Sequence, residues 1–303
     1  MSSTDQTVDL EYPAAGWVGF VKEHLGPSLM WALLGIGGSH IVLAPTLGAL
    51  YGVFAVWIVG IVYVAKYGGW ELGIRYNYGM GRNPVEGYGD LPGPDHWGQW
   101  LTLAVYLVGW TTILAAVGFT AATFAAALVP GFSPIQLYVG LVAVAMGLTL
   151  HSRYSWLEGL MKIFVVALGV LVVLGVFVAP PDPATVGETV FAVPDVTAPG
   201  FLGLFAAIAG YAPTGLSTTV TIGSWSLAKK QGARALRDRD LDPHDEQYHD
   251  YIEAWMDVGK RDFRLAFGFS FVLLVSMILL STAVLYPTPP KDQNIALAIG
   301  NLL

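Results

Sequence analysis

Long apolar runs without charge, each closed by Gly, Pro or a charged cluster, dominate the chain. Residues 25–65 carry no Asp, Glu, Lys or Arg over 41 positions. A bilayer core takes roughly 20 apolar residues per helix. This run therefore accommodates two passes that turn near Pro45–Gly48: a first span over 25–46 and a second over 50–76, with Lys66 and Glu71 inside the second. Residues 97–150 form another uncharged run, of 54 positions, split by Pro130-Gly131-Phe132-Ser133-Pro134 into spans over 97–129 and 134–150. A fifth span is predicted over 156–179, stopping at Pro180-Pro181. A sixth covers 200–228, and a seventh covers 265–286 and ends at Pro287. Buried core helices in a soluble protein are the competing reading. Seven such runs with so few charges argue against it.

Composition sharpens this. Of 303 residues, 12% are charged and 54% hydrophobic, against about 25% charged in an ordinary soluble domain. That excludes a typical cytosolic enzyme and a disordered chain. A net charge of −7 also excludes a basic nucleic-acid binder. The absence of Cys removes disulfides, thiolate metal sites and cysteine nucleophiles.

Loop charge sets an expected orientation. Lys22, Arg75, Arg82, Arg153 and the Lys and Arg residues of 229–264 fall on one side. The opposite loops hold only Lys291. This bias places the N-terminus and 229–264 in the cytoplasm and 181–199 outside, in the cell membrane. Residues 1–24 read as a cytoplasmic N-terminal tail; the first 20 lack the basic n-region of a cleavable signal peptide and suggest disorder. In the loop 229–264, Tyr251, Ile252, Trp255, Met256 and Val258 recur at near-helical spacing and predict a short amphipathic helix. Asp242-Pro243-His244-Asp245-Glu246 has neither EF-hand nor zinc spacing and reads as solvated loop. Residues 287–303 read as an external amphipathic segment before a missing eighth span, so a partial chain is expected.

Two spans are interrupted near their middles. The first contains Gly35-Ile36-Gly37-Gly38-Ser39-His40, and the sixth contains Gly210-Tyr211-Ala212-Pro213-Thr214-Gly215. Gly costs about 1 kcal/mol in a helix interior and Pro about 3 kcal/mol. Irregular backbone at membrane depth persists only where protein buries it or a wet cavity faces it. Paired interruptions, five spans apart, point to a transporter binding site between inverted repeats. The alternative is glycine for close helix packing, which suits Gly60, Gly109, Gly118 and Gly169.

These residues, together with Gly26-Pro27 at the start of the first span and Gly48-Ala49-Leu50-Tyr51-Gly52 after it, resemble the Nramp (natural resistance-associated macrophage protein) family of divalent-metal transporters, in particular its divergent Nramp-related branch. The likeness runs from about residue 20 to 303. It implies an all-α integral membrane protein of LeuT-like (APC) fold: an inverted-repeat transporter with broken first and sixth helices, here with the second repeat incomplete. The family's metal-binding Asp-Pro-Gly-Asn of the first span aligns with Gly37, Gly38, Ser39 and His40. Its Met-Pro-His of the sixth aligns with Ala212, Pro213 and Thr214. The carboxylate and the thioether ligand are both replaced, so the resemblance carries fold and transport class further than it carries substrate.

The resulting expectation is a non-enzymatic secondary transporter that moves a divalent cation of Mn or Mg type by alternating access, with proton coupling left open. Another small solute on the same fold, or a non-transporting membrane subunit, are the alternatives. No catalytic constellation is present. No cofactor is expected; the metal ion is the substrate, and the partners are lipid, metal ion and protons, without nucleic acid. The substrate-site candidates are Gly35, Gly37, Gly38, Ser39, His40, Tyr211, Ala212 and Thr214, with Gly210, Pro213 and Gly215 marking the break. Lys66, Glu71 and Arg75 are proton-relay or ion-pair candidates.

Overall fold

The computed structural model describes residues 10–151, 154–237 and 244–287. The expected external segment beyond 287 and part of the charged loop, including Asp242 and Pro243, lie outside these. The described residues form helices and turns, without a strand. In chain order the helices are α1 (Gly16–Gly19), α2 (Pro27–Gly35), α3 (Ala44–Tyr51), α4 (Ala55–Met80), α5 (Pro84–Gly87), α6 (Trp97–Leu128), α7 (Pro134–His151), α8 (Tyr154–Val178), α9 (Pro183–Thr189), α10 (Phe201–Tyr211), α11 (Thr219–Ala228) and α12 (Glu246–Leu285).

Among the described residues, five helical stretches are long and apolar enough to cross a membrane: Ser39–Met80, Trp97–Ala126, Pro134–His151, Gly159–Val178 and Glu246–Leu285. The first and sixth predicted spans do not each form one helix. Gly35 ends α2, and the helix of the sixth span stops at Tyr211 and resumes at Thr219. The stretch from Ser39 to Met80 is itself turned at Gly52, whose φ is 59°. A Cβ there would sit 2.6 Å from the Thr189 side chain, so both the left-handed backbone and the close neighbour require glycine. The reversal thus falls after Tyr51, later than Pro45–Gly48. Pro45 instead is the second residue of α3, directly after the wide helical turn Ser39–Leu43.

The amphipathic segment expected before the seventh span is not a separate element. It runs without a break into that span as the 40-residue α12. No Gly-Pro pair or cap interrupts Trp255 to Leu265, so the helix simply continues. The N-terminal segment is also ordered from Leu10, with α1 extending through a wider turn, Phe20–His24.

The chain divides into two compact units. One comprises Met1–Trp31, Lys66–Thr102 and Leu216–Phe267; the other comprises Ala32–Ala65, Leu103–Gly215 and Gly268–Leu303. The first unit is centred on aromatic side chains. Trp31 packs edge-on against Trp70 with ring centroids 4.9 Å apart, and Phe263 and Phe267 complete the cluster. The Trp31 indole N–H donates to the Thr218 hydroxyl at 2.9 Å, which satisfies its polar tip in an apolar setting. The buried Asp262 carboxylate accepts from the backbone N–H groups of Gly26 (3.1 Å) and Ser28 (2.9 Å). It therefore caps the start of α2 from α12, where the orphan donors and the helix dipole favour an anion.

In the second unit, α3 packs tightly on α12: the Thr282 hydroxyl donates to the Gly48 carbonyl at 3.3 Å. The helices α6, α7 and α8 expose many large apolar side chains, among them Leu107, Val108, Val144, Leu171 and Phe177. Such faces are tolerated where lipid, not water, covers them.

Candidate functional site

The site lies in the second unit, where the two helix breaks meet. After Gly35 the chain makes a tight turn. The Gly37 N–H returns to the Gly35 carbonyl at 2.8 Å, and the Ile41 N–H picks up the Gly37 carbonyl at 2.9 Å. Two glycines within three positions weaken the helix enough for this turn to win. Ser39–Leu43 then forms a wide helical turn that leads into α3. In the other break, Ala212 is extended (φ −94°, ψ 134°), and the Ala212–Pro213 bond is cis. Both residues are buried.

The breaks touch through backbone. The Ser39 hydroxyl is 2.9 Å from the Gly35 carbonyl oxygen and 3.3 Å from that of Pro213. A Cβ on Gly35 would meet the Pro213 oxygen at 2.7 Å and Thr214 Cγ2 at 3.1 Å. Only glycine permits this approach. Three oxygens thus converge, two carbonyls and a hydroxyl, and the Thr214 side chain stands beside them.

His40 is fully buried and has a partner at each ring nitrogen. Nδ1 lies 3.0 Å from the Gly35 carbonyl and 2.9 Å from the Ser39 hydroxyl. Nε2 lies 3.1 Å from both the carbonyl and the hydroxyl of Ser270. The Tyr63 hydroxyl is 3.0 Å from the same Ser270 hydroxyl. A carbonyl only accepts, so a neutral imidazole satisfies one carbonyl with its single N–H and accepts a hydrogen bond from a hydroxyl on its other side. Two arrangements result. Either Nδ1–H donates to Gly35 while Ser270 Oγ–H donates to Nε2, or Nε2–H donates to the Ser270 carbonyl while Ser39 Oγ–H donates to Nδ1.

Of the residues expected at the site, Gly35, Gly37, Ser39, His40, Pro213 and Thr214 are joined by these contacts. Gly38 has open space around it. Tyr211 is the last residue of α10 and half exposed, and Gly210 is exposed. The Gly215 carbonyl lies 3.3 Å from the Thr214 hydroxyl. Lys66, Glu71 and Arg75 lie along α4 in the first unit. Arg75 and Glu71 pair at 2.6 Å, and Lys66 Nζ stands 5.6 Å from the Trp70 ring centre. Arg264 reaches Tyr67 at 3.0 Å and lies 3.9 Å from Glu71.

Sequence reasoning passed over Ser270 and Tyr63. Each is a single polar side chain within an apolar stretch, and intramembrane polarity was the available signal. Among the described residues no group of three or more His, Asp or Glu is placed to hold a metal ion. The donors at the breaks are carbonyls, hydroxyls and one imidazole.

Among the described residues the chain is all-helical, with five helices long and apolar enough to cross a membrane, and the fold is the LeuT-like one. No family model matches the chain. A crystal structure of a mutant manganese transporter from Eremococcus coleocola matches with a TM-score of 0.67 and 13% identity, over 92% of this chain and 55% of that one. The same transporter in complex with an aromatic bis-isothiourea substituted compound matches at 0.67 and 14%, over 94% and 56%. An uncharacterised protein of Pasteurella multocida (strain Pm70) is 26% identical over 215 residues, which is 68% of this chain and 48% of that protein. The chain therefore spans about half the length of the proteins it matches.

Proposed function

We propose that the protein acts as a secondary transporter for divalent metal cations, working by alternating access around the two breaks. The observation that carries this is the convergence of the Gly35 and Pro213 carbonyls on the Ser39 hydroxyl. Both carbonyls stand where regular helix has opened, and such oxygens suit a cation that displaces the Ser39 hydroxyl from them. The fold shared with manganese transporters supports the same reading, and so does the sequence resemblance to the Nramp-related branch.

The donor set argues for a hard or borderline cation. Oxygen donors suit Mg²⁺ and Mn²⁺, and imidazole suits Mn²⁺; neither favours a soft ion that seeks sulfur. Mg²⁺ also keeps several of its waters, which reduces the number of protein ligands it needs. Transport of a different small solute on the same fold is the second reading, and the lack of a carboxylate at the breaks favours it.

Uptake into liposomes containing the purified protein separates the two. Mn²⁺ or Mg²⁺ should enter in preference to Cd²⁺. His40→Ala should impair Mn²⁺ uptake more than Mg²⁺ uptake. Strong preference for Cd²⁺ would overturn the hard-cation reading, and indifference to every divalent ion would favour the other solute.

A further inference from the structure

A cavity beside the N-terminal segment lies wholly in the first unit and has a volume of about 730 Å³. That falls in the range of small-ligand sites, roughly 300–1,000 Å³. Its wall carries Lys229, Lys230, Arg234 and Arg237, four cations within nine residues. Two carboxylates, Glu11 and Glu23, oppose them. Two of the cations are already engaged: Lys229 Nζ donates to the Glu23 carbonyl at 3.1 Å, and Arg237 lies 3.5 Å from the Glu86 carboxylate. Lys230 and Arg234 have no ion-pair partner among the described residues. The cavity is therefore an electropositive pocket with two uncommitted donors.

A second observation concerns the segment that closes it. The helical segment 16–24 has two unlike faces. Trp17, Val18 and Val21 are exposed, at 64%, 69% and 49%. Phe20 and His24, one turn apart, are buried, and His24 packs edge-on against Trp255. His24, Glu23 and Trp255 line the cavity. A tryptophan and two valines presented outward, beside Lys22, suit the boundary between headgroups and acyl chains. One face of this short segment is thus apolar and exposed, while the other closes the electropositive pocket.

We propose that this pocket binds the phosphate of an anionic membrane lipid, with Lys230 and Arg234 as its principal contacts and Lys229 and Arg237 at its flanks. A guanidinium offers two parallel donors to a phosphate, and an ammonium adds a point charge. Basic pockets at the membrane face of helical proteins recognise anionic headgroups by this chemistry. The cation carried at the helix breaks would be repelled by such a surface, so the site serves a different ligand. Free phosphate shares the chemistry, but only a lipid also uses the apolar face of segment 16–24.

The test uses the purified, delipidated full chain in detergent. Phosphatidylglycerol, phosphatidylcholine and inorganic phosphate are each added, with bound lipid counted by native mass spectrometry and thermal unfolding followed in parallel. Phosphatidylglycerol should bind and raise the melting temperature, and phosphatidylcholine should do neither. The double variant Lys230→Gln/Arg234→Gln should bind phosphatidylglycerol at least tenfold more weakly. The charge-matched control Lys260→Gln/Arg261→Gln, at residues that line neither the cavity nor the exposed face of segment 16–24, should stay within twofold of the parent. Arg234→Lys, which keeps the charge, guards against simple misfolding and should retain binding. Equal binding by the double variant and the parent would overturn the site. Stabilisation by inorganic phosphate equal to that by the lipid would overturn the assignment to a lipid.

Discussion

Replacing Gly35 by Ala tests the contact on which the two breaks depend. The added Cβ would lie 2.7 Å from the Pro213 carbonyl oxygen and 3.1 Å from Thr214 Cγ2. A carbon and a carbonyl oxygen rest no closer than about 3.3 Å, so one break must retreat by about 0.6 Å. Overpacking of this kind costs about 1–3 kcal/mol. Ala in place of Gly returns up to about 1 kcal/mol through helix propensity. For a mid-range overpacking cost of about 2 kcal/mol, the balance is a loss of about 1–2 kcal/mol. If that loss falls on the convergence of the two carbonyls, a cation held there binds roughly tenfold more weakly, since about 1.4 kcal/mol is tenfold in affinity. Gly38→Ala is the matched control: its Cβ meets nothing within 4 Å and its φ of −53° suits any residue. Half-saturation of Mn²⁺ uptake in liposomes and thermal unfolding in detergent are measured together. Gly35→Ala should raise the half-saturating concentration about tenfold and lower the melting temperature, and Gly38→Ala should change neither for the worse. Equivalent behaviour of the two variants would refute the close approach of the breaks. A destabilised Gly35→Ala with normal uptake would keep the packing and remove the site.

Three other outcomes are expected. Ser270→Ala removes the hydroxyl that His40 and Tyr63 share and should cost about 1–2 kcal/mol; a cycle with Tyr63→Phe should show coupling of at least about 0.5 kcal/mol, and strict additivity would mean the two do not act together. Glu71→Gln should change stability by no more than about 0.5 kcal/mol, because the exposed Arg75 partner makes this an ordinary helical ion pair; lost uptake with intact stability would instead place Glu71 on a proton path. His24 accepts the Ala14 N–H at Nε2 at 2.8 Å, and burial holds its basicity below the ordinary 6.5, with Glu23 opposing and Lys229 adding to the effect. The unfolded state therefore takes up its proton first, so stability from this contact is full above about pH 6.5 and is lost as pH falls below it. Relative to the intrinsic, base-catalysed exchange rate at each pH, protection of the Ala14 amide should fall between pH 7.5 and 5 in the parent but not in His24→Gln, and a parent protection that does not change with pH would refute the linkage.

Much of the architecture is written in local features of the chain. The scarcity of charge and the length of the apolar runs require helices in lipid, because backbone polar groups there must pair within their own segment. The glycines at 35, 37 and 38 and the proline at 213 mark both breaks, since their costs in a helix are intrinsic to the residues. The i,i+4 spacing of Glu71 and Arg75 is enough to bring them together at 2.6 Å. Other features depend on partners far apart in sequence. Asp262 could be read as one more loop charge until the fold set it on the N–H groups of Gly26 and Ser28, more than 230 residues away. Ser270 and Tyr63 gain their meaning from a single imidazole on another helix. The basic residues of 229–237 looked like topological determinants, and only the packing of segment 16–24 beside them made a cavity. Periodicity and propensity record what a residue does to its own backbone. Which carbonyl lies opposite which hydroxyl is decided by packing, where a shift of half an ångström separates contact from clash.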